Sequence, residues 1–251
     1  MEGLNQIRGL CESFKHTDFR YGTLYHVDYT ELMKFVTVDS LISNIDLVLT
    51  DPPYNVNAKA KDQAKKDSSE VKESYNDFMD KDTYDRFISD FFYYVDQISN
   101  MLVVSPGHSN ITLWHDIRIP SDYLFHHKAD GQGFSRNARS NKTELYLVYG
   151  KVANGNRFAT NTIKANINHR QRYGNHPHPK PPELYKKIVK QLEPTLVFDP
   201  MMGSGTTGLV CEELGIPWFG CEIKQSYIDD CIIPRINGAE VPLSKEGMRE
   251  L

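Results

Sequence analysis

TLVFDPMMGSGTTGLVCEELGIPWFGCE, residues 195–222, decides the fold. It opens on a β-branched and aromatic run, turns through glycines, continues as an amphipathic stretch and closes on a second apolar run that ends in an acid. Gly203, Gly205 and Gly208 form a G-x-G-x-x-G pattern between the strand-like and helix-like segments, and Glu222 follows Gly203 by 19 residues. In that setting the glycines let backbone approach a ligand and the acid takes ribose hydroxyls, so the segment predicts a nucleotide-binding strand–turn–helix–strand unit.

A nicotinamide dinucleotide is the first rival ligand. A dinucleotide fold continues into a second half, whereas 29 residues follow Glu222, so the other strands are expected upstream, in a circularly permuted order. Asp199 and Pro200 also stand between the strand and the glycines, where a pyrophosphate would meet a negative charge. A carboxylate there suits a ligand carrying an ammonium group.

Upstream, short β-branched and aromatic runs alternate with amphipathic stretches, the pattern of an α/β protein with a doubly wound, mostly parallel sheet. The runs predict seven strands, at 23–28, 45–50, 100–105, 122–127, 144–150, 195–199 and 217–222. Helices are expected near 30–36, 80–98, 109–117, 182–192, 205–214 and 224–233. Residues 1–251 read as one catalytic domain with two excursions. The first, 55–80, is Lys-rich and β-poor and reads as a mobile basic loop; the second, 151–175, is rich in Asn, Gly and basic residues.

Composition narrows the setting. The 251 residues are 39% hydrophobic, enough for a sizeable core, and no run is apolar enough to span a bilayer. The N-terminus has no apolar signal core, so a cytoplasmic location and no membrane partner are expected. Cys11, Cys211, Cys221 and Cys231 show no CxxC pairing and read as buried reduced thiols; no metal is expected, and His176 and His178 read as turn packing. The net charge of −4 does not advertise nucleic-acid binding, but a global charge hides local patches.

LTDPPYNVN, 49–57, ends an apolar run with two consecutive prolines bracketed by Asp51 and Tyr54. Prolines stop a strand and stiffen the turn that follows it. Taken together, DPPY at 51–54, FDPMMGSGTT at 198–207 and HPHPKP at 176–181 resemble the S-adenosylmethionine-dependent amino-methyltransferases of DNA, in the β arrangement that places DPPY ahead of the glycine element. The resemblance spans roughly Thr23 to Cys231 and implies a Rossmann-like methyltransferase fold. DPPY, rather than SPPY, implies adenine N6 as the target.

By that resemblance the catalytic element is Asp51, Pro52, Pro53 and Tyr54. The cofactor would be held by Asp199, Pro200 and Met201, by Gly203, Ser204, Gly205 and Thr206, by the ribose acid Glu222, and by Lys180 and Pro181 over the methionine part. Asp28 matches the acid that reads the cofactor's adenine, and reads equally well as a helix N-cap. Met201 departs from the family, which commonly has Phe there.

The chemistry supports those roles independently. An adenine amino nitrogen is a poor nucleophile because its lone pair is delocalised into the ring. Two acceptors on its hydrogens, the Asp51 carboxylate and the Pro52 carbonyl, can turn that lone pair toward the methyl group. Tyr54 offers a ring for base stacking, and a stiff turn keeps the reacting atoms aligned. Asp51 is read here as a positioning group and not as a strong base.

A duplex hides the amino group, so DNA with a flipped adenine is the expected partner. Lys59 and Lys61 beside the DPPY turn, Arg136, Arg139 and Lys142 in GFSRNARSNK, and Arg170 and Arg172 before HPHPKP are the candidate nucleic-acid contacts. Residues 151–175 occupy the place of a small target-recognition insert, and the resemblance also implies a possible homodimer. Cytosine N4, RNA adenine, a non-catalytic nucleic-acid-binding subunit and a dehydrogenase are the alternatives; an intact acid and glycine turn favour catalysis.

Overall fold

In the computed structural model, residues 1–38, 45–55, 79–128, 142–166, 176 and 179–238 are described. They form a nine-stranded sheet in the order β1-β2-β9-β8-β3-β4-β6-β5-β7. In chain order the strands are β1 His16–Asp18, β2 Gly22–Tyr25, β3 Leu47–Thr50, β4 Met101–Val104, β5 Asp122–His127, β6 Thr143–Gly150, β7 Thr162–Lys164, β8 Val197–Asp199 and β9 Trp218–Cys221. The five central strands β2, β9, β8, β3 and β4 run parallel, β6 turns antiparallel to both β4 and β5, and β7 lies parallel to β5.

The central strands carry near-continuous apolar sequence because both their faces are covered. Successive side chains point to opposite faces. Val48, Leu102, Val104, Phe198 and Phe219 therefore meet the helices α1 (Glu2–Leu10), α2 (Tyr29–Val38), α3 (Lys81–Ile98) and α4 (Ile111–Ile117) in one core. Leu47, Leu49, Val103, Val197 and Trp218 meet α5 (Pro182–Leu192) and α6 (Thr206–Leu214) in the other. The helices follow from their own signals. α3 is capped by Asp80, whose carboxylate accepts from Thr83 N at 2.9 Å, and it buries Tyr84, Ile88, Phe91 and Val95 at helical spacing. α5 begins on Pro182 and buries Leu184, Tyr185, Ile188, Val189 and Leu192.

Three expectations change. The sheet has nine strands, not seven, because a three-residue strand is added at each edge. β1 (HTD) is polar and β7 (TIK) buries only Ile163, so neither presents a period long enough to read. The expected helix at 224–233 is broken into Gln225–Tyr227, a π-helical turn Ile228–Ile232 and Ile233–Ile236. Pro234 explains the break, since it has no N–H for a continuous α-helical ladder. α1 was not expected; Gly3 and Gly9 weaken its helical propensity, and it is held by burial of Leu4 and Ile7.

All four cysteines are free and buried. Among the described residues no helix is long and apolar enough to cross a membrane.

Candidate active site

The late strand–turn–helix–strand unit lies at the centre of the sheet, where β8 lies beside β3. From that line the chain winds outward both ways, through β9 to β2 and through β4, so ligands are expected beyond the carboxyl ends of these strands. A cavity of about 270 Å³ opens there. Asp51, Pro53, Lys180, Asp199, Pro200, Met201, Gly203, Ser204, Thr206, Glu222 and Asp28 all line it. The early proline corner and the late glycine turn, distant in sequence, thus share one cavity.

The glycine turn is built from below. Gly203 and Gly205 have φ of +52° and +77°, in the left-handed region that glycine enters without strain. A Cβ on Gly203 would lie 2.8 Å from His176 Nε2, and the His176 ring packs 4.9 Å from that of Tyr227. Arg235, buried at the chain's last described helix, donates from Nη1 to Ser204 O at 2.8 Å, Ser204 Oγ at 3.0 Å and Thr206 Oγ1 at 2.9 Å. Thr206 in turn donates to the Lys180 carbonyl at 3.0 Å.

Each acid of the cofactor side has its own environment. Glu222 accepts three backbone amides, Gly203 N at 2.8 Å, Ile223 N at 3.0 Å and Lys224 N at 2.9 Å. Burial still raises its pKa, against the pull of those amides. Asp199 accepts Thr50 Oγ1 at 2.7 Å and Met201 N at 3.1 Å on Oδ1, and Thr207 Oγ1 at 2.6 Å on Oδ2. Burial pushes its pKa up to about 6 although these donors oppose the shift. Asp28 does cap α2, its Oδ1 accepting Thr30 N at 2.8 Å, and it lines the cavity as well.

On the other wall, Pro52 is buried while Pro53 faces the cavity, and the Pro53 carbonyl accepts the Tyr84 hydroxyl at 2.9 Å. Asn55, at φ 50°, exchanges two 2.8 Å hydrogen bonds with the Met79 backbone and so joins the ends of the segment between them. The Tyr54 ring packs on Gly107, where a Cβ would come within 2.7 Å of it. Its hydroxyl donates to Asp51 Oδ1 at 2.5 Å, lies 2.7 Å from Ser105 Oγ, and accepts from Lys180 Nζ at 2.6 Å. Lys180 also reaches Asp51 Oδ1 at 3.1 Å and donates to Glu144 Oε1.

Glu144, Ser105 and His126 were not anticipated. Because β6 is antiparallel to β4, its first residues lie at the carboxyl ends of the parallel strands and so at the site. His126 stands directly opposite Glu144 across the β5–β6 pair, fully buried, with Nδ1 3.4 Å from Glu144 Oε2 and Nε2 2.8 Å from Ala165 O. A carboxylate and an imidazole beside the apolar residues of β5 and β6 were the available signal.

The two carboxylates titrate against one cation. Burial works against the charged form of Glu144, yet the Lys180 ammonium and the His126 hydrogen bond hold its pKa well below the usual range. Burial and the Glu144 charge push Asp51 up to about 6, against the pull of Lys180 and Tyr54. Burial disfavours the Lys180 ammonium too, but the two acids outweigh it and keep the amine protonated.

Pro52, Tyr54, Pro181, Gly205 and Lys142 are not among the residues that line this cavity. Pro181 precedes α5 as its N-cap, and Gly205 packs against Ile232. Lys142 is exposed at the start of β6, its carbonyl accepting Lys128 N at 2.7 Å. Lys59, Lys61, Arg136, Arg139, Arg170 and Arg172 lie outside the described residues, as do most of 55–80, residues 167–175 and His178.

The parallel centre with an antiparallel β6, the strand–glycine turn–helix unit at the switch between β8 and β3, and the cavity above it define a Rossmann-like methyltransferase fold. Residues 124–233 match the family described as DNA methylase. Over 47 residues the chain is 47% identical to the Type II methyltransferase M.HinfI of Haemophilus influenzae, a match covering 18% of this chain and 13% of that protein. Matches of this kind cover between 13% and 28% of the length of the curated relatives. Two solved structures share the architecture. The M1.HpyAVI–SAM complex aligns at a TM-score of 0.55 and 20% identity, covering 82% of this chain and 94% of that one. The PvuII DNA methyltransferase (cytosine-N4-specific) aligns at 0.58 and 17%, covering 92% and 91%.

Proposed function

We propose that the protein transfers the methyl group of S-adenosylmethionine to the exocyclic N6 amino group of adenine in DNA. The observation that carries this reading is the shared cavity: the Asp51 corner and the Gly203 turn line the same space. The DNA methylase match over residues 124–233 and the SAM complex among the fold's relatives support it.

The cavity suits the cofactor chemically. It sets the apolar surfaces of Tyr29, Met201 and Ile223 beside the carboxylates of Asp28, Asp199 and Glu222. That combination fits an aromatic base, ribose hydroxyls and an ammonium group in one ligand. Glu222 and the glycine turn would hold the ribose, Asp199 the methionine end with the Lys180 backbone beside it, and Asp28 the adenine. Bound there, S-adenosylmethionine supplies an activated methyl carbon and leaves as a thioether. The protein's own contribution is orientation: the Asp51 carboxylate and the proline carbonyl beside it hold the amino hydrogens of the target base, and Tyr54 fixes Asp51 while offering its ring to that base.

Residues 1–251 would act as one catalytic domain on a duplex with the adenine flipped out. Lys59, Lys61, Arg136, Arg139, Lys142, Arg170 and Arg172 are the proposed phosphate contacts, and residues 151–175 the proposed target-recognition insert. A homodimer is part of the same proposal. Cytosine N4 is the second reading, because the PvuII relative carries that specificity in its name and the amino-group chemistry is shared.

The test is incubation with methyl-labelled S-adenosylmethionine and mixed DNA and RNA, followed by nucleoside analysis. Label in N6-methyladenine of DNA is expected. Label in methylcytosine transfers the assignment to cytosine, label in RNA alone transfers it to RNA, and no label in any nucleoside refutes catalysis.

A further inference from the structure

The proposed transfer gives no task to Glu144, although this carboxylate sits at the back of the corner that holds the target amine. Its partner Lys180 has three N–H donors, and each meets one acceptor: Glu144 Oε1, the Tyr54 hydroxyl at 2.6 Å and Asp51 Oδ1 at 3.1 Å. The Lys180 side chain is 12% exposed, and Asp51 and Glu144 are 24% and 21% exposed, so solvent screens this triad little. At its other end, the Lys180 backbone is tied to the glycine turn through Thr206. Lys180 is thus fixed from both sides and cannot settle on either acid alone.

We infer that Glu144 is a positioning residue for the amino-group transfer: it holds the Lys180 ammonium in a shared place, so that Asp51 is not locked in a private ion pair and can take the proton released by the substrate nitrogen. The inference rests on the proposed role of Asp51. As the nitrogen lone pair forms the new N–C bond, the methyl–sulfur bond breaks and its electrons leave on sulfur; one N–H bond also breaks, its electrons stay on nitrogen, and the proton passes to the Asp51 carboxylate. Oδ1 carries the Tyr54 and Lys180 contacts, whereas Oδ2 has no hydrogen-bond partner among the described residues and is open to a ligand.

The groups facing Asp51 from each packed element are consistent with this. Lys180 and Tyr185 face it from α5 and its approach, Glu144 and Tyr146 from β6, Asp199 from β8 and Tyr54 from its own turn. Behind Glu144 stand His126 and Lys128, which favour its charge and leave Asp51 the member of the pair that accepts a proton. This assigns Asp51 more than the orienting role that the sequence alone supports.

The experiment compares Glu144→Gln, Lys180→Gln and the charge-restoring Glu144→Asp. Gln at 144 keeps the size and an acceptor for Lys180 but removes the charge, so Lys180 falls to Asp51 alone. The acid limb of the kcat profile, near the Asp51 value of about 6, is expected to move down by about one pH unit or more in E144Q and up by a similar amount in K180Q. E144D is expected to return the limb toward wild type. A ¹³C titration of the Asp51 carboxyl should follow the same order without turnover. Limbs that stay in place, or move together in one direction, overturn the inference while wild-type methyl transfer persists. Absence of transfer by the wild type defeats the functional reading instead, and the carboxyl titration then still decides whether Glu144 sets the state of Asp51.

Discussion

The Thr50 hydroxyl donates to Asp199 Oδ1 at 2.7 Å, which ties the ends of β3 and β8 together beneath the cavity. Thr207 holds the other oxygen at 2.6 Å, so one buried carboxylate joins both central strands to the start of α6. Thr50→Val keeps the shape of the side chain but removes a donor from a buried charge. Such a loss costs about 1–3 kcal/mol. Urea denaturation of T50V near neutral pH should show that drop, and an unchanged midpoint would mean that the hydrogen bond contributes nothing.

The same burial gives Asp199 an inverted pH signature. Its folded pKa, about 6, lies above the ordinary 3.8, so the native state binds the proton more tightly than the unfolded chain. Its contribution is fully present below the unfolded value and is lost as pH rises through the folded one. Asp51 has the same sign. Glu222 shares that sign too, so Asp199→Asn removes one of three such contributions. Relative to D199N, the wild type should therefore be more stable at about pH 4 than at about pH 8, by on the order of 2 kcal/mol. A constant difference between the two proteins across that range would contradict the assignment.

These relationships were unequally visible in the sequence. The strands β3, β4, β8 and β9 announce themselves because continuous burial on both faces demands continuous apolar sequence. Gly203 and Gly205 are legible because their left-handed backbone, closely packed by His176 and Ile232, favours glycine. The edge strands β1 and β7, three residues each, are too short to carry a period. The Glu144–Lys180–Asp51 triad was hidden for another reason: it depends on the antiparallel register of β6, which no local pattern encodes. The resemblance sets Lys180 over the methionine part of the cofactor; in the structure its carbonyl accepts from Thr206 of the glycine turn and its ammonium reaches the DPPY corner.

Gly107 supports the acceptor corner from outside. Its φ is +68°, and a Cβ added to it would stand 2.7 Å from Tyr54 Cγ, so there is no room for a side chain. Gly107→Ala should displace Tyr54, and with it the hydroxyl that fixes Asp51. Because misalignment of reacting atoms by about 1 Å can cost ~100-fold in rate, kcat should fall by at least about tenfold. Gly107 abuts the Tyr54 ring and not the glycine turn, so S-adenosylmethionine should protect G107A and the wild type to the same extent against thermal unfolding. Equal loss of protection would mean that the two walls are not independent.

Arg235 does for the cofactor side what Lys180 does for the acceptor side. Its buried guanidinium grips Ser204 and Thr206 through three contacts between 2.8 and 3.0 Å, from the short helix Ile233–Ile236 that follows the π turn. Hydrogen bonds to a charged group each contribute about 1.5–3 kcal/mol. Arg235→Met fills similar space without the donors, so it should lower stability by about that amount and loosen residues 203–206. Looser backbone weakens a site whose donors must be preformed, and the KM for S-adenosylmethionine should rise by about tenfold or more while kcat at saturation changes little. A fall in kcat with KM unchanged would place Arg235 in the chemistry of transfer and not in the construction of the cofactor site.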